Sequence, residues 1–259
     1  MMRHALAAEW RREWVQLFRY PTEMLSEIIV IVAIFYGMFL GASYMAGTAL
    51  FGRRLSDIIV GYALWTLSMT SVGTLGWSIA NEAQNGTLEQ VFLSPYGARL
   101  ILLFRSAANI AIGLLFTVST LFAVMAATGR WLIVSPLDFI PGLLMIACAT
   151  GLGFLVASVT ILMKRSNQLL NLLQFALLFL IMAPLSNLTG FWRWVGVVAP
   201  FAPVAALLRA MMTRGAGLFG AGDWLLWSAV NASLWLAAGL LVFRNAERRA
   251  RRRGNLGHY

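Results

Sequence analysis

The chain has 259 residues, of which 60% are hydrophobic and only 12% charged, and its formal net charge at pH 7 is +10. With a mean hydropathy of +0.76, it is richer in apolar side chains than a soluble domain needs for its core, which excludes an ordinary soluble globular protein. The apolar residues form long continuous runs and do not alternate with polar ones, which excludes a membrane β-barrel. The composition predicts an all-α polytopic membrane protein.

The first predicted element is an amphipathic helix over residues 1–21 that lies in the plane of the lipid headgroups. Trp10, Trp14 and Phe18 recur at helical spacing, while arginines and a glutamate occupy the other faces. Pro21 ends or kinks this helix. Two roles stay open for it: an anchor that helps to set the topology, or a docking surface for a cytoplasmic partner.

Six apolar segments follow that are long enough to cross the membrane, because about 20 apolar residues in a helix span the hydrocarbon layer. The predicted transmembrane helices are residues 26–50, 57–81, 100–129, 137–163, 166–190 and 224–243. Cys148 is the one cysteine and lies inside the fourth, so we expect it to be buried and no intramolecular disulfide to form. Glycines in the second and fourth spans are expected to permit close helix packing, at Gly61, Gly73, Gly76, Gly151 and Gly153.

Aromatic side chains are concentrated in the first two spans, at Phe35, Tyr36, Phe39, Tyr44, Tyr62 and Trp65. As a group they are candidates for the wall of a conduit that passes an amphipathic or sugar-bearing substrate. Contact with lipid or with neighbouring helices is the interpretation that we favour, since Trp and Tyr are enriched at membrane interfaces for their amphipathic character alone.

The polar segment NEAQNGTLEQVFLSP separates the second and third spans, and residues 81–96 are predicted to contain a short cytoplasmic helix. Gly86 interrupts the preceding helix, and Thr87 with Gln90 matches a Thr-x-x-Gln capping box. Pro95 ends the new helix after about two turns. Its apolar stripe consists of Leu88, Val91 and Phe92, and the neighbouring carboxylates are those of Glu82 and Glu89. Such a stripe is typical of a docking surface, and an ordinary loop packed on the bundle is the alternative.

The segment before the last span, residues 192–213, is apolar but interrupted by prolines. Pro200 and Pro203 break the helical hydrogen-bond ladder, and the apolar stretch that ends near Arg209 is too short to cross the membrane. We therefore predict a re-entrant or interfacial pair of short helices in this segment.

Basic residues predict the orientation of the chain. With a cytoplasmic N-terminus, fourteen of the 20 lysines and arginines fall on the cytoplasmic side, several of them in a basic tail at 244–259. Both termini are therefore expected in the cytoplasm. The tail is suited to contact anionic lipid headgroups, whereas nucleic-acid binding is not expected, because no folded soluble domain accompanies it.

The residue types needed for energy conversion or catalysis are missing from the expected places. Lys164 is the only lysine and does not stand in a P-loop pattern, and no carboxylate or histidine lies near the middle of a span. His4 and His258 lie near the termini, and the sequence has no metal-ligand cluster. An enzyme, a metal site and a cofactor bound by this chain are therefore not expected, and energy for transport would come from a separate subunit.

The chain resembles the ABC-2 type permeases, the membrane subunits of bacterial ATP-driven exporters of drugs, lipids or polysaccharides. The resemblance covers nearly the whole length. The family segment E-x-x-x-G-T-L-E-x-L-x-x-[ST]-P is matched at Glu82, Gly86, Thr87, Leu88, Glu89, Ser94 and Pro95. A softer match is PFAPVAALLRAMM, which contains Pro200, Pro203 and Arg209. One departure is NEAQN, which has a single acid where the family often carries more charge.

The resemblance implies a six-helix permease that forms a homodimer and uses residues 81–96 as a coupling helix on a separate ATPase subunit. ATP and Mg²⁺ would be bound by that ATPase. The expected substrate is hydrophobic or amphipathic, such as a drug, a lipid or a glycan-linked lipid, exported across the bacterial inner (plasma) membrane. One alternative stays open: a membrane anchor or assembly protein that recruits a soluble partner without transport.

Overall fold

The computed structural model describes residues 11, 15, 19, 21–45, 47, 53–84, 98–163, 167–183, 190–221 and 223–253. Of these residues, 88% are in helices and none is in a strand, which confirms the prediction of an all-α protein. The bounded α-helices of the described part are α1 (Pro21–Met45), α2 (Arg53–Gln84), α3 (Ala98–Thr128), α4 (Phe139–Met163), α5 (Asn167–Met182), α6 (Phe191–Val198), α7 (Ala202–Arg214) and α8 (Trp224–Arg253), and a 3₁₀ turn at Pro136–Asp138 leads into α4.

Four helices of the described part are long and apolar enough to cross a membrane. Their apolar stretches are Arg54–Trp77, Asn109–Thr128, Pro136–Ile161 and Trp224–Ala250. The first and fifth predicted spans correspond to shorter apolar stretches, Leu25–Gly41 and Asn171–Met182. At 1.5 Å per residue, the 16 residues of α5 extend only about 24 Å, which is less than the hydrocarbon thickness. A membrane protein is thus supported, and the number six stays a prediction.

The second, third and fourth predicted spans lie within a few residues of α2, α3 and α4, whereas α1 begins and ends about five residues earlier than predicted and α5 ends at Met182. The last predicted span ends at residue 243, whereas α8 continues to Arg253. The added residues, RNAERRARRR, are charged but are good helix formers, so the helix extends after the apolar run has stopped. The predicted basic tail therefore begins as a continuation of the last helix.

The backbones of α4 and α8 touch at two glycines. A Cβ atom built on Gly239 would lie 2.1 Å from the carbonyl oxygen of Gly151, and one built on Gly151 would lie 2.3 Å from the carbonyl oxygen of Trp235. Only glycine fits at such a separation, as in other close contacts between membrane helices. The expectation that Gly151 permits close packing is confirmed, and α8 is seated directly on α4.

The main core lies where α4 meets α2 and α7, with α5 packed against α2. Its fully buried members on α4 include Met145 and Cys148, and Phe201 and Val204 cover them from the start of α7. Cys148 is thus a buried packing residue, as expected from its apolar segment. The short helix α7 is therefore an internal part of the bundle, which gives it a fixed position relative to the long helices.

Two ends of the bundle can be distinguished by the helix termini that meet there. One end, which we call the Asp57 end, joins the starts of α2 and α8 to the ends of α5 and α7. The opposite end, which we call the Gln84 end, contains a second core cluster of Leu75, Ile79, Leu102, Phe154, Ala157, Ile161, Phe243 and Ala250. The end of α2, the start of α3 and the arginine-rich end of α8 therefore lie together.

Candidate functional site

A cavity of about 580 Å³ lies at the Asp57 end. Four helices and the loop between α7 and α8 form its wall: Asp57, Ile58, Met182, Ala206, Arg209, Ala210, Arg214, Ala216, Gly220, Ala221 and Trp224. Its volume falls within the range of about 300–1,000 Å³ that is usual for small-molecule sites, and its wall combines charged with apolar groups. This cavity is the best candidate for a ligand site in the described part of the chain.

Arg209 lies in this wall and is held by groups from two neighbouring helices. Its Nη2 donates a hydrogen bond to the carbonyl oxygen of Ile181, in the last turn of α5. Gly61 of α2 leaves room for the guanidinium, since a Cβ atom there would lie 3.1 Å from Nη2. The carboxylate of Asp57 is near enough to interact with Arg209 electrostatically. Sequence reasoning had placed Arg209 only at the end of the proline-containing segment.

The end of α7 holds the charged wall in place. The hydroxyl of Thr213 lies 2.7 Å from the carbonyl oxygen of Arg209 and 3.4 Å from Oδ1 of Asp57. Gly215 ends the helix with a left-handed backbone (φ 66°), and its N–H donates to the carbonyl of Met211. Arg214 therefore stands at the last helical position, exposed at the cavity edge.

Residues 191–214 form two short helices with a break at the predicted prolines. Helices α6 and α7 contain 8 and 13 residues, and each is too short to cross a membrane. Phe201 has a left-handed backbone (φ 67°) between them, and Pro203 lies in the first turn of α7, where its missing N–H is not needed. A pair of short helices is observed, and their re-entrant placement in a bilayer stays a prediction.

Asn231 is a buried polar residue that sequence reasoning missed. Its Nδ2 lies within hydrogen-bond distance of three carbonyl oxygens at the end of α6: Val197 at 2.7 Å, Val198 at 3.2 Å and Ala199 at 3.1 Å. Nε1 of Trp235 also donates to the Val198 carbonyl, at 3.0 Å. These carbonyls end a helix and lack intrahelical partners. The feature of the sequence that could have identified Asn231 is a side-chain amide inside an otherwise apolar span.

The aromatic residues proposed for a conduit form a packed cluster. Phe35 stacks on Phe39, contacts Tyr36 and meets Tyr62 edge to face, and Tyr62 is in turn 5.4 Å from Trp65, measured between ring centroids. None of these five residues lines the 580 Å³ cavity. The structure therefore brings them together as helix-packing residues, which is the interpretation favoured above.

The polar groups of the aromatic cluster donate hydrogen bonds to backbone carbonyls within the bundle. The hydroxyl of Tyr62 donates to the carbonyl of Ile31 at 2.7 Å, and that of Tyr36 donates to the carbonyl of Ala127. Nε1 of Trp65 donates to the carbonyl of Gln174 at 3.2 Å. The cluster thus joins α1 and α2 to α3 and α5. Tyr44 is 90% exposed and is not part of this cluster.

The other predicted site residues lie outside the described residues. They comprise Trp10, Trp14 and Phe18 of the interfacial helix and Gly86, Thr87, Leu88, Glu89, Val91, Phe92 and Pro95 of the coupling segment. The backbone of Glu82 belongs to the last turn of α2, at the Gln84 end. The two helices that flank the coupling segment are described, and both termini next to it lie at that end.

The comparisons with known proteins give no family assignment. No model of a known protein family matches this chain, and no curated protein matches it. Within the described residues, no three histidine, cysteine or acidic side chains are arranged to hold a metal ion. The functional argument therefore depends on the geometry of the chain itself.

Proposed function

We propose that this protein is the permease subunit of an ATP-driven exporter that moves a hydrophobic or amphipathic substrate out of a bacterial cell. A separate subunit of the ABC type would bind Mg²⁺ and ATP and hydrolyse the nucleotide. The permease would act as a homodimer in the plasma membrane, with both termini in the cytoplasm. Membrane lipids surround the long helices, and nucleic acid has no part in the process.

The observation that carries this proposal is that the two helix ends next to residues 85–97 lie together at one end of the bundle. The end of α2 and the start of α3 lie at the Gln84 end, next to the arginine-rich end of α8. Positive charge favours the cytoplasmic side of a membrane protein, so a segment at this end would face a cytoplasmic partner. The capped apolar stripe predicted for this segment fits docking better than simple connection.

Transmission of movement from an ATPase also requires that the helices of the permease be firmly joined to one another. The close α4–α8 contact and the aromatic cluster join the long helices, so a force on the α2–α3 connection would reach several of them. Two long helices, α2 and α3, extend from the Gln84 end to the region of Ser56 and Arg130 at the other end, where Arg130 Nε donates to Ser56 Oγ at 3.0 Å. Movement of packed helices of this kind is a common route for coupling distant sites.

The test is purification of the tagged full-length protein from its own membranes, followed by identification of bound proteins and assay of ATP hydrolysis. We expect a P-loop ATPase to copurify and to hydrolyse ATP in the complex. Phe92→Ala should weaken its association at least about tenfold, since truncation of a buried aromatic anchor commonly has this effect. Phe219→Ala, which changes an exposed phenylalanine near the Asp57 end, should leave it unchanged.

Two results would contradict the proposal. One is a folded, membrane-inserted protein that copurifies with no P-loop ATPase. The other is an associated ATPase whose binding and hydrolysis are the same with Phe92→Ala, with Glu82→Lys and Glu89→Lys combined, and with the native chain. Retained association without any export of lipids, drugs or glycans would favour the membrane-anchor alternative.

A further inference from the structure

The cavity at the Asp57 end carries more positive than negative charge. Arg209 and Arg214 contribute two guanidinium groups to its wall, and Asp57 contributes one carboxylate. The formal charge of these three groups is therefore +1. Guanidinium groups bind phosphate and carboxylate oxygens through paired, charge-assisted hydrogen bonds. The wall is thus suited to an anion and not to a cation.

Arg209 has an unused hydrogen-bond donor in this wall. Its Nη2 is occupied by the carbonyl of Ile181, but its Nε is buried and has no hydrogen-bond partner in the described part of the protein. A guanidinium has five N–H donors, and a buried donor without an acceptor is unfavourable. Nε itself is closed off from the cavity, so an anion there would be bound by the remaining Nη hydrogens of Arg209.

The rest of the wall indicates a ligand with an apolar body. Ile58, Met182, Ala206 and Trp224 lie beside the charged groups, and about 580 Å³ is far more space than one phosphate group fills. The cavity also lies at the ends of two candidate spans, Arg54–Trp77 and Trp224–Ala250, where lipid headgroups meet water. A guanidinium at this level can therefore meet the phosphate of an amphiphile while the apolar groups of the wall meet its body.

We propose that this cavity binds an anionic amphiphile through its phosphate group. Arg209 and Arg214 donate hydrogen bonds to the phosphate oxygens, and Met182 and Trp224 contact the apolar body. Asp57 repels the phosphate and so limits the affinity. The inference concerns binding alone, and it does not depend on transport or on an ATPase partner.

The binding test uses the purified full-length protein in a neutral detergent and isothermal titration calorimetry. The probes are dioctanoyl phosphatidic acid, dioctanoylglycerol, which lacks only the phosphate, and inorganic phosphate. We expect phosphatidic acid to bind at least about tenfold more tightly than either of the others. Equal affinity for dioctanoylglycerol would overturn the role of the arginines, and equal affinity for inorganic phosphate would overturn the role of the apolar wall.

Four variants locate the site. Arg209→Gln and Arg214→Gln should each weaken the binding of phosphatidic acid about tenfold, because each removes a charge-assisted donor. Arg193→Gln is the matched control, since Arg193 is an exposed arginine of α6 that does not line the cavity. Asp57→Asn should tighten binding several-fold, because it removes the repelling carboxylate.

The Asp57 variant separates ligand binding from a structural role of the charges. If Asp57 served only to neutralise Arg209, its replacement would lower the melting temperature and would not tighten binding. Arg214 is exposed at the end of α7, so its variant is expected to fold even if Arg209→Gln does not. An affinity for phosphatidic acid that is the same in Arg214→Gln, Asp57→Asn, Arg193→Gln and the native protein would overturn the proposal.

Discussion

Asn231 shows how one polar residue can set the position of a helix in an apolar bundle. Its side-chain amide serves the carbonyls of Val197, Val198 and Ala199, which the end of α6 leaves without helical partners. Nothing nearby in sequence identifies these acceptors, since they lie more than 30 positions earlier in the chain. The sequence predicted the break at Pro200 and Pro203, but it did not predict which residue would bind the carbonyls at the end of α6.

Replacement of Asn231 by leucine should destabilise the protein. The substitution leaves the buried carbonyl oxygen of Val197 without the amide donor, whereas that of Val198 keeps Trp235 Nε1 and that of Ala199 keeps the N–H of Ala202. The loss is expected to lower the free energy of unfolding by about 1–3 kcal/mol. The measurement is thermal unfolding of the purified protein in detergent. Ser233→Ala on the same helix is the control, because Ser233 is exposed and its replacement should have little effect. Equal melting temperatures for both variants would contradict the assigned role of Asn231.

The presence and the order of the helices can be predicted from the sequence, because apolar runs, prolines and glycines affect the conformation of the residues next to them. The predicted spans at 57–81, 100–129 and 137–163 correspond to α2, α3 and α4 within a few residues at each end. Hydropathy does not report which helices touch. The contact between α4 and α8 depends on Gly151 and Gly239 facing one another, and these glycines are separated by several helices in sequence.

Gly239→Ala should separate α4 from α8 or strain their contact. The new methyl group would lie 2.1 Å from the carbonyl oxygen of Gly151, so we expect a loss of about 1–3 kcal/mol in stability. Gly142→Ala is the matched control within α4, because a Cβ atom there meets nothing within 4 Å. This control should gain up to about 1 kcal/mol from its higher helix propensity. Thermal unfolding of the two variants in detergent should therefore shift in opposite directions, and shifts of the same sign would contradict the packing argument.

At the scale of the whole molecule, α2, α4 and α8 run in one direction and α3 runs in the opposite direction, so the bundle has two chemically different ends. The Asp57 end holds the charged cavity, and the Gln84 end gathers the arginine-rich end of α8 with the helix termini that flank residues 85–97. The distance from Trp224 to Asn245 along α8 is about 30 Å, which equals the hydrocarbon thickness. The two ends are therefore expected on opposite sides of the membrane.

Cysteine labelling tests this arrangement. Phe219→Cys near the Asp57 end and Asn245→Cys near the Gln84 end introduce exposed thiols, whereas the native Cys148 is buried and serves as the unlabelled background. A membrane-impermeant maleimide added to intact spheroplasts should label Phe219→Cys, and it should label Asn245→Cys only after the membrane is permeabilised. Labelling of both variants in intact spheroplasts would contradict the orientation that the arginines predict.

The sequence alone determined that the chain is helical, where its long helices lie and where the segment before the last helix breaks, because each of these features depends on residues close together in the chain. Only the tertiary structure decided that Asp57, Met182, Arg209 and Trp224 surround one cavity and that the aromatic residues of α1 and α2 pack together. Such contacts join positions far apart in sequence, and they depend on how helices rotate and slide when their side chains pack. Hydropathy is a property of single segments and carries no information on which helices pack together or how they are rotated.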